Sequence, residues 1–203
     1  MTRRRVAVTG LGLVSPYGGD HGDFFARLLA GESAIRFLRT DDVPRPLAMP
    51  FVSCAGFSAD AVLGRALAGT LDRFAQLGLA AAFAAWDDAG FPRQEEEPDR
   101  ESWGVAWGTA LGGTLAYEKG YRDLWQRGRE RLSPLSLILG LNNAANAHIS
   151  IQLGLGGVSM THTVACASSA IAIGEAFRRV RSGEAPVMVR LPSPSGRWEV
   201  PPR

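Results

Sequence analysis

The sequence is poor in cysteine, poorer still in lysine, balanced in charge and without a long apolar run. Two cysteines among 203 residues, Cys54 and Cys166, exclude a disulfide framework and suit a reducing compartment. Lys119 is the single lysine; the other 21 basic residues are arginines, as GC-rich coding produces. With 22 basic residues against 20 acidic ones, the formal net charge is +2, which excludes a dedicated binder of nucleic acid or of anionic membranes. No stretch approaches the roughly 18 apolar residues of a membrane span. Arg3-Arg4-Arg5 precede an apolar stretch, as in an export signal. That stretch is short, contains Thr9, Gly10 and Gly12, and lacks a small-x-small cleavage pattern, so it reads as a first β-strand. A cytoplasmic protein is the expectation. Hydrophobic residues make up 46% and charged residues 21%, enough to bury the core of one domain or slightly more.

Strand and helix signals alternate along the chain. Arg5 to Val14 reads as a buried strand broken by Ser15-Pro16-Tyr17-Gly18-Gly19. Asp20 to Ala30 reads as a short helix stopped by Gly31, and residues 32–69 as loops and a hairpin, with a strand at Phe51 to Phe57. Thr70 is the N-cap candidate of a longer helix, whose apolar stripe is Leu71, Phe74, Leu77, Ala81, Ala82, Ala85 and Trp86. Further on come a strand at Trp103–Thr109, a helix from Gly112-Gly113 toward Trp125, and an apolar helix at Leu135–Leu153. A strand at Val158–Val164, a helix at Cys166–Arg181 closed by Gly183, and a strand at Pro186–Val189 complete the pattern. The alternation predicts an α/β fold, with a mostly parallel sheet covered by helices on both faces. Residues 190–203 carry four prolines and no periodicity, and read as a divergent, disordered tail.

The strongest chemical signal is Val164-Ala165-Cys166-Ala167-Ser168-Ser169. A strand ends, small residues permit a sharp turn, and a helix striped by Ala170, Ile171, Gly174, Phe177 and Val180 begins. Cys166 then sits at a helix N-terminus, where unpaired amides and the macrodipole favour a thiolate and an adjacent oxyanion. Local context leaves two readings open, a reactive thiol and a buried structural one. His21, His148 and His162 read as structural or surface histidines, Lys119 as solvated, and Cys54 as core. Gly10-Leu11-Gly12 after a strand lacks the third glycine and the later acidic residue of a dinucleotide site.

Five ordered segments carry a resemblance. They are Arg4–Pro16, Leu28–Ser33, Leu71–Gln76, Gly108–Gly113, and Ala165–Ala170 with Ile173–Ala176. Together they resemble the N-terminal half of the β-ketoacyl-acyl-carrier-protein synthases, in the thiolase-like superfamily, over residues 3–189. The resemblance implies the N-terminal half of a duplicated αβαβα fold and a domain spanning 1–189. It implies Cys166 as the nucleophile, acyl carrier protein as the partner, no cofactor or metal, and a homodimer joined through Val158–Val164. It also implies two histidines and a lysine in a second half that these 203 residues do not include. On that ground the chain is expected to accept an acyl group but not to complete a condensation. After Val189 the family pattern is lost, which a frame change, a misjudged gene end or a natural truncation would each produce. A non-catalytic fragment or partner subunit, such as a chain-length factor, is the alternative; such subunits usually lack the cysteine that stands here at position 166.

Overall fold

A computed structural model describes residues 4–40, 47–93 and 99–192, in two compact units. The smaller unit is Leu13–Ser58. Its helix α1, His21–Leu29, starts where the Asp20 side chain accepts the Asp23 N–H at 2.7 Å. Phe25, Leu28 and Leu29 of this helix are exposed. Strands β1 (Arg36–Thr40) and β2 (Leu47–Phe51) form an antiparallel hairpin pairing Arg36 with Phe51 and Thr40 with Leu47. The expected strand at Phe51–Phe57 lies a few residues too late, because Cys54 and Phe57 instead close a turn, Phe57 N to Cys54 O at 3.0 Å.

The larger unit takes the residues through Gly12 and those from Ala59 onward. Short helices α2 (Ala59–Leu63) and α3 (Arg65–Ala68) lead into α4, Arg73–Asp88. Its N-cap is Asp72, not Thr70, whose hydroxyl donates to the Leu67 carbonyl oxygen instead. Asp72 is buried; one carboxylate oxygen accepts the Phe74 N–H and the other the Ala116 N–H at 2.7 Å, so one side chain joins the starts of two helices. Strand β3, Gly104–Gly108, is buried along its whole length. Helix α5 (Thr114–Tyr121) passes into a π-helical turn at Arg122–Gln126, followed by α6 (Leu135–Gly140) and α7 (Ala144–Leu153). Strand β4 (Ser159–His162), helix α8 (Ser168–Ser182) and strand β5 (Met188–Pro192) follow.

The three strands form a parallel sheet in the order β4-β3-β5. Helices α4 and α7 pack on the sheet's core side and α8 packs on β3 and β5, as a parallel sheet with connecting helices requires. Trp107 is fully buried, 6.2 Å from Phe74 between ring centroids, and Gly78 of α4 leaves room for its six-membered ring. Trp86, Phe91 and Trp103 form a second aromatic cluster with centroid separations of 5.0–5.7 Å, and the Arg100 guanidinium lies 4.9 Å over Trp86.

Four further expectations shift. Arg5–Val14 forms no ladder among the described residues, and Val8 and Leu11 are exposed. Gly10 and Gly12 let this stretch lie directly on the backbone of α4 at Ala85 and Ala81, and the Leu11 N–H is taken by the Asp88 carboxylate at 2.8 Å. The single helix expected at Leu135–Leu153 is two, because Gly140 packs against the Tyr117 ring and the chain turns at Leu141, whose backbone is extended. The buried line of α8 is Ser168, Ala172 and Ala176; Ile171 and Phe177 of the expected stripe are partly exposed. Small side chains win because α8 sits close over Ala106 and Met188. Finally, β5 continues to Pro192 with Leu191 buried, so the strand outlasts the family-like text by three residues. Residues 193–203 of the expected tail lie outside the described residues.

Candidate functional site

Cys166 is exposed at the turn between β4 and α8, beyond the carboxyl ends of the parallel strands. That is the end of an α/β sheet where ligands bind. The residue before it, Ala165, has φ 48°, the only described non-glycine residue with a positive φ. A left-handed alanine costs of order 1 kcal/mol and persists only when its surroundings over-determine it. Three hydrogen bonds do so here. The Ser168 hydroxyl oxygen accepts the Val164 N–H at 2.7 Å, and its proton lies between the carbonyl oxygens of Ala165 (2.8 Å) and Thr109 (3.1 Å). Ser168 itself is only 2% exposed.

The amides at the start of α8 divide into used and unused. Ala167 N–H donates to Val164 O and Ser168 N–H to Ala165 O, while the first intrahelical bond runs from Ile171 N to Ala167 O. The Ser169 and Ala170 amides have no backbone acceptor among the described residues, as the geometry of a helix start dictates. They carry partial positive charge at the start of the helix that follows Cys166.

Thr109 ties the floor of this turn together. Its N–H donates to the His162 carbonyl oxygen at 3.0 Å, its own carbonyl faces Ser168, and its hydroxyl oxygen accepts the Gly112 N–H at 3.3 Å. Gly108 allows the approach: a Cβ there would stand 2.5 Å from Ser168 O and 2.8 Å from Ser169 N. The glycine loop after β3 is fitted against the α6–α7 junction. Gly112, at φ +65°, faces Asn142, and Gly113 faces Gly140. Asn142 in turn donates to the Thr163 hydroxyl at 3.2 Å, and Asn146 links Thr161 and Ser159 of β4. A cleft of about 400 Å³, lined by Tyr117, Tyr121, Leu132, Pro134 and Leu137, opens beside α5.

The other sequence candidates do not join Cys166. His162 ends β4 with its Nε2 buried and without a hydrogen-bond partner among the described residues, so it forms no dyad with the thiol. His148 lies in α7, where burial pushes its imidazole below the ordinary value and favours the neutral form. His21 begins α1 and is exposed, Lys119 is exposed on α5, and Cys54 is half-buried in the smaller unit. No group of three or more His, Cys, Asp or Glu residues is arranged to hold a metal among the described residues. No described helix is long and apolar enough to cross a membrane. Sequence reasoning missed Thr109, Asn142 and the bracing role of Ser168. The signal for Ser168 was present, a hydroxyl two residues after the cysteine in a run of small side chains.

A parallel α/β sheet with a cysteine raised on a left-handed turn at a helix start defines a thiolase-like architecture. The chain belongs to the beta-ketoacyl synthase family: residues 3–190 match that family's N-terminal domain. A 3-oxoacyl-[acyl-carrier-protein] synthase 2 of Vibrio cholerae serotype O1 is 32% identical over 189 residues, covering 93% of this chain and 45% of that protein. The crystal structure of a beta-ketoacyl synthase from Burkholderia phymatum superposes with a TM-score of 0.74 at 25% identity, over 91% of this chain and 45% of that one. At 22% identity and a TM-score of 0.73, a type II polyketide ketosynthase solved with its acyl carrier protein shares the fold over 91% of this chain and 49% of its own. The chain spans about half the length of the curated relatives it matches.

Proposed function

We propose that this chain is the nucleophile-bearing half of a β-ketoacyl-acyl-carrier-protein synthase acting in fatty-acid or polyketide-type synthesis. The observation that carries the reading is the presentation of Cys166: exposed, on a braced turn, just before a helix start with two amides that lack backbone acceptors. In the first half-reaction the Cys166 thiolate attacks the thioester carbonyl of an acyl-phosphopantetheine arm. The Ser169 and Ala170 amides favour the oxyanion, and collapse transfers the acyl group to Cys166 and releases the carrier thiol. The arm arrives on acyl carrier protein, the partner with which a ketosynthase of this fold has been solved.

The second half-reaction decarboxylates a malonyl thioester, and the resulting carbanion attacks the Cys166 thioester. It needs donors on the malonyl carbonyl oxygen, and none of the described histidines is joined to Cys166 by a hydrogen bond. Losing one such donor typically costs about a hundred- to a thousandfold. The 203 residues alone therefore acylate Cys166 but do not condense. The domain of this reading is residues 1–189, lengthened by the end of β5 to Pro192. Homodimerisation runs through Val158–Val164, whose β4 stands at an edge of the described sheet. A cytoplasmic location fits the two cysteines, neither in a disulfide.

The test pairs two assays on the purified chain: acyl label transferred from acyl carrier protein to Cys166, mapped by mass spectrometry, and carbon dioxide released from malonyl carrier protein. Label on Cys166 that Cys166→Ala abolishes, without carbon dioxide, is the expected result. Label absent from Cys166 in folded protein overturns the nucleophile, and condensation by the chain alone overturns the division of labour.

A further inference from the structure

We propose that Ser168 is a positioning residue: its hydroxyl holds the left-handed turn at Ala165 and thereby aims the Cys166 thiol. The proposal rests on the reading of Cys166 as the nucleophile, but it makes a mechanical claim that is tested separately. Ala165 lacks the freedom of glycine, so its φ of 48° must be maintained by contacts. Beside the backbone bonds of the turn, the side-chain contacts on both of its flanks converge on one oxygen. Ser168 Oγ accepts from Val164, the residue before the strained one, and offers its proton to the carbonyl of Ala165 itself. The alternative direction for the same proton, 3.1 Å to Thr109 O, fastens the turn to the end of β3. A hydroxyl has one proton and two acceptor positions, and the proton and one of those positions are engaged by backbone groups around the nucleophile.

Two features separate this from an ordinary helix cap. An N-cap side chain stands before the helix and accepts an amide from within it; Ser168 is already inside α8 and reaches backward, across Cys166, to the strand side. The N-cap position, Ala167, has no side-chain cap at all. The bond thus adds little to the helix and closes the loop of residues 164–168, with Cys166 at its centre. Without it, the Val164 N–H is left open and Ala165 is released toward the commoner right-handed or extended backbone. Either change redirects the Cα–Cβ bond of Cys166.

The test is a cycle of Ser168→Ala, Ala165→Gly and the double variant in the full chain, with Cys54→Ser as background. It reads thermal midpoint and the second-order rate of Cys166 alkylation by iodoacetamide. Ser168→Ala is expected to slow alkylation about tenfold, and Ser168→Thr, which keeps the hydroxyl, to recover at least half of the lost rate. Ala165→Gly removes the need for a brace at that residue, so adding it to Ser168→Ala is expected to restore several degrees of the lost midpoint. Additive midpoints, or an alkylation rate indifferent to Ser168→Ala, overturn the proposal. Should Ser168→Ala alone not fold, the double variant decides: folding rescued by Ala165→Gly supports the brace, and failure to rescue refutes it. The outcome is independent of acyl transfer. Coupling between 165 and 168 without acylation of Cys166 retains the brace and removes the ketosynthase reading, and the reverse result removes only the brace.

Discussion

Gly108→Ala is the sharpest perturbation of the seat of Cys166. The added methyl would lie 2.5 Å from Ser168 O, 2.6 Å from Ser168 C and 2.8 Å from Ser169 N, all backbone atoms of the α8 start. Backbone cannot rotate out of the way as a side-chain tip does. Reaching even the tight end of ordinary contact requires the helix start to retreat by roughly an ångström from a strand that is itself buried on every residue. Overpacking of this kind costs about 1–3 kcal/mol, and replacing a strand glycine by alanine returns about 0.5–1 kcal/mol, so a net loss of about 1–2 kcal/mol is expected. For a chain of this size that lowers the thermal midpoint by roughly 2–8 °C. The chemical effect is larger, because a 1 Å misplacement of a reacting group costs up to about a hundredfold. The control is Gly78→Ala, whose methyl would press on the six-membered ring of Trp107, against α4. It is expected to lower the midpoint comparably while leaving the Cys166 alkylation rate within twofold. Calorimetry and timed iodoacetamide labelling read both variants. If Gly108→Ala melts at or above the parent temperature with Cys166 reactivity unchanged, the close-approach argument is wrong.

Three further outcomes are expected. Iodoacetamide added to folded protein near neutral pH should label exposed Cys166 ahead of half-buried Cys54, as peptide mapping reads; preferential labelling of Cys54 contradicts the site. Burial lowers the His148 pKa from its ordinary 6.5, so below that pH the unfolded chain takes up a proton that the folded chain resists. Stability should therefore fall as pH drops through 6.5 toward the lowered folded value, and urea midpoints of His148→Gln should show a shallower dependence between pH 7.5 and 5. Sedimentation across micromolar concentrations should show self-association through the β4 edge, and a clean monomer at every concentration refutes that interface.

The elements that were legible in the sequence are those whose pattern and punctuation agree. Helix α8 was marked at both ends, by the small-residue turn at Ala165-Cys166-Ala167 and by Gly183, which caps it at φ +84°. Strand β3 was readable because every residue from Gly104 to Gly108 is buried, which a run without charge signals directly. Arg5–Val14 misled because strand-like composition states a preference, not a partner; its glycines serve close packing on a helix. The stripe of α8 was misplaced because hydropathy ranks Ile171 and Phe177 above Ala172 and Ala176, whereas the short distance to the sheet selects the smaller pair. Cys166 could be singled out from its local context and the family resemblance. Its brace could not, since Thr109 meets Ser168 across a span of 59 residues and only the folded chain brings them together.

Thr109 engages its amide hydrogen, its carbonyl oxygen and its hydroxyl with three different parts of the fold. Two of those three attachments are made by atoms that every amino acid except proline possesses. Exchange of the side chain, to valine for instance, detaches Gly112 and spares the links to His162 and to the α8 start. The mobility of the glycine loop is therefore adjustable at a single codon without moving the seat of Cys166. A framework written largely in main-chain atoms also tolerates wide drift in its side chains, which accounts for a shared architecture at a TM-score of 0.74 with one residue in four retained.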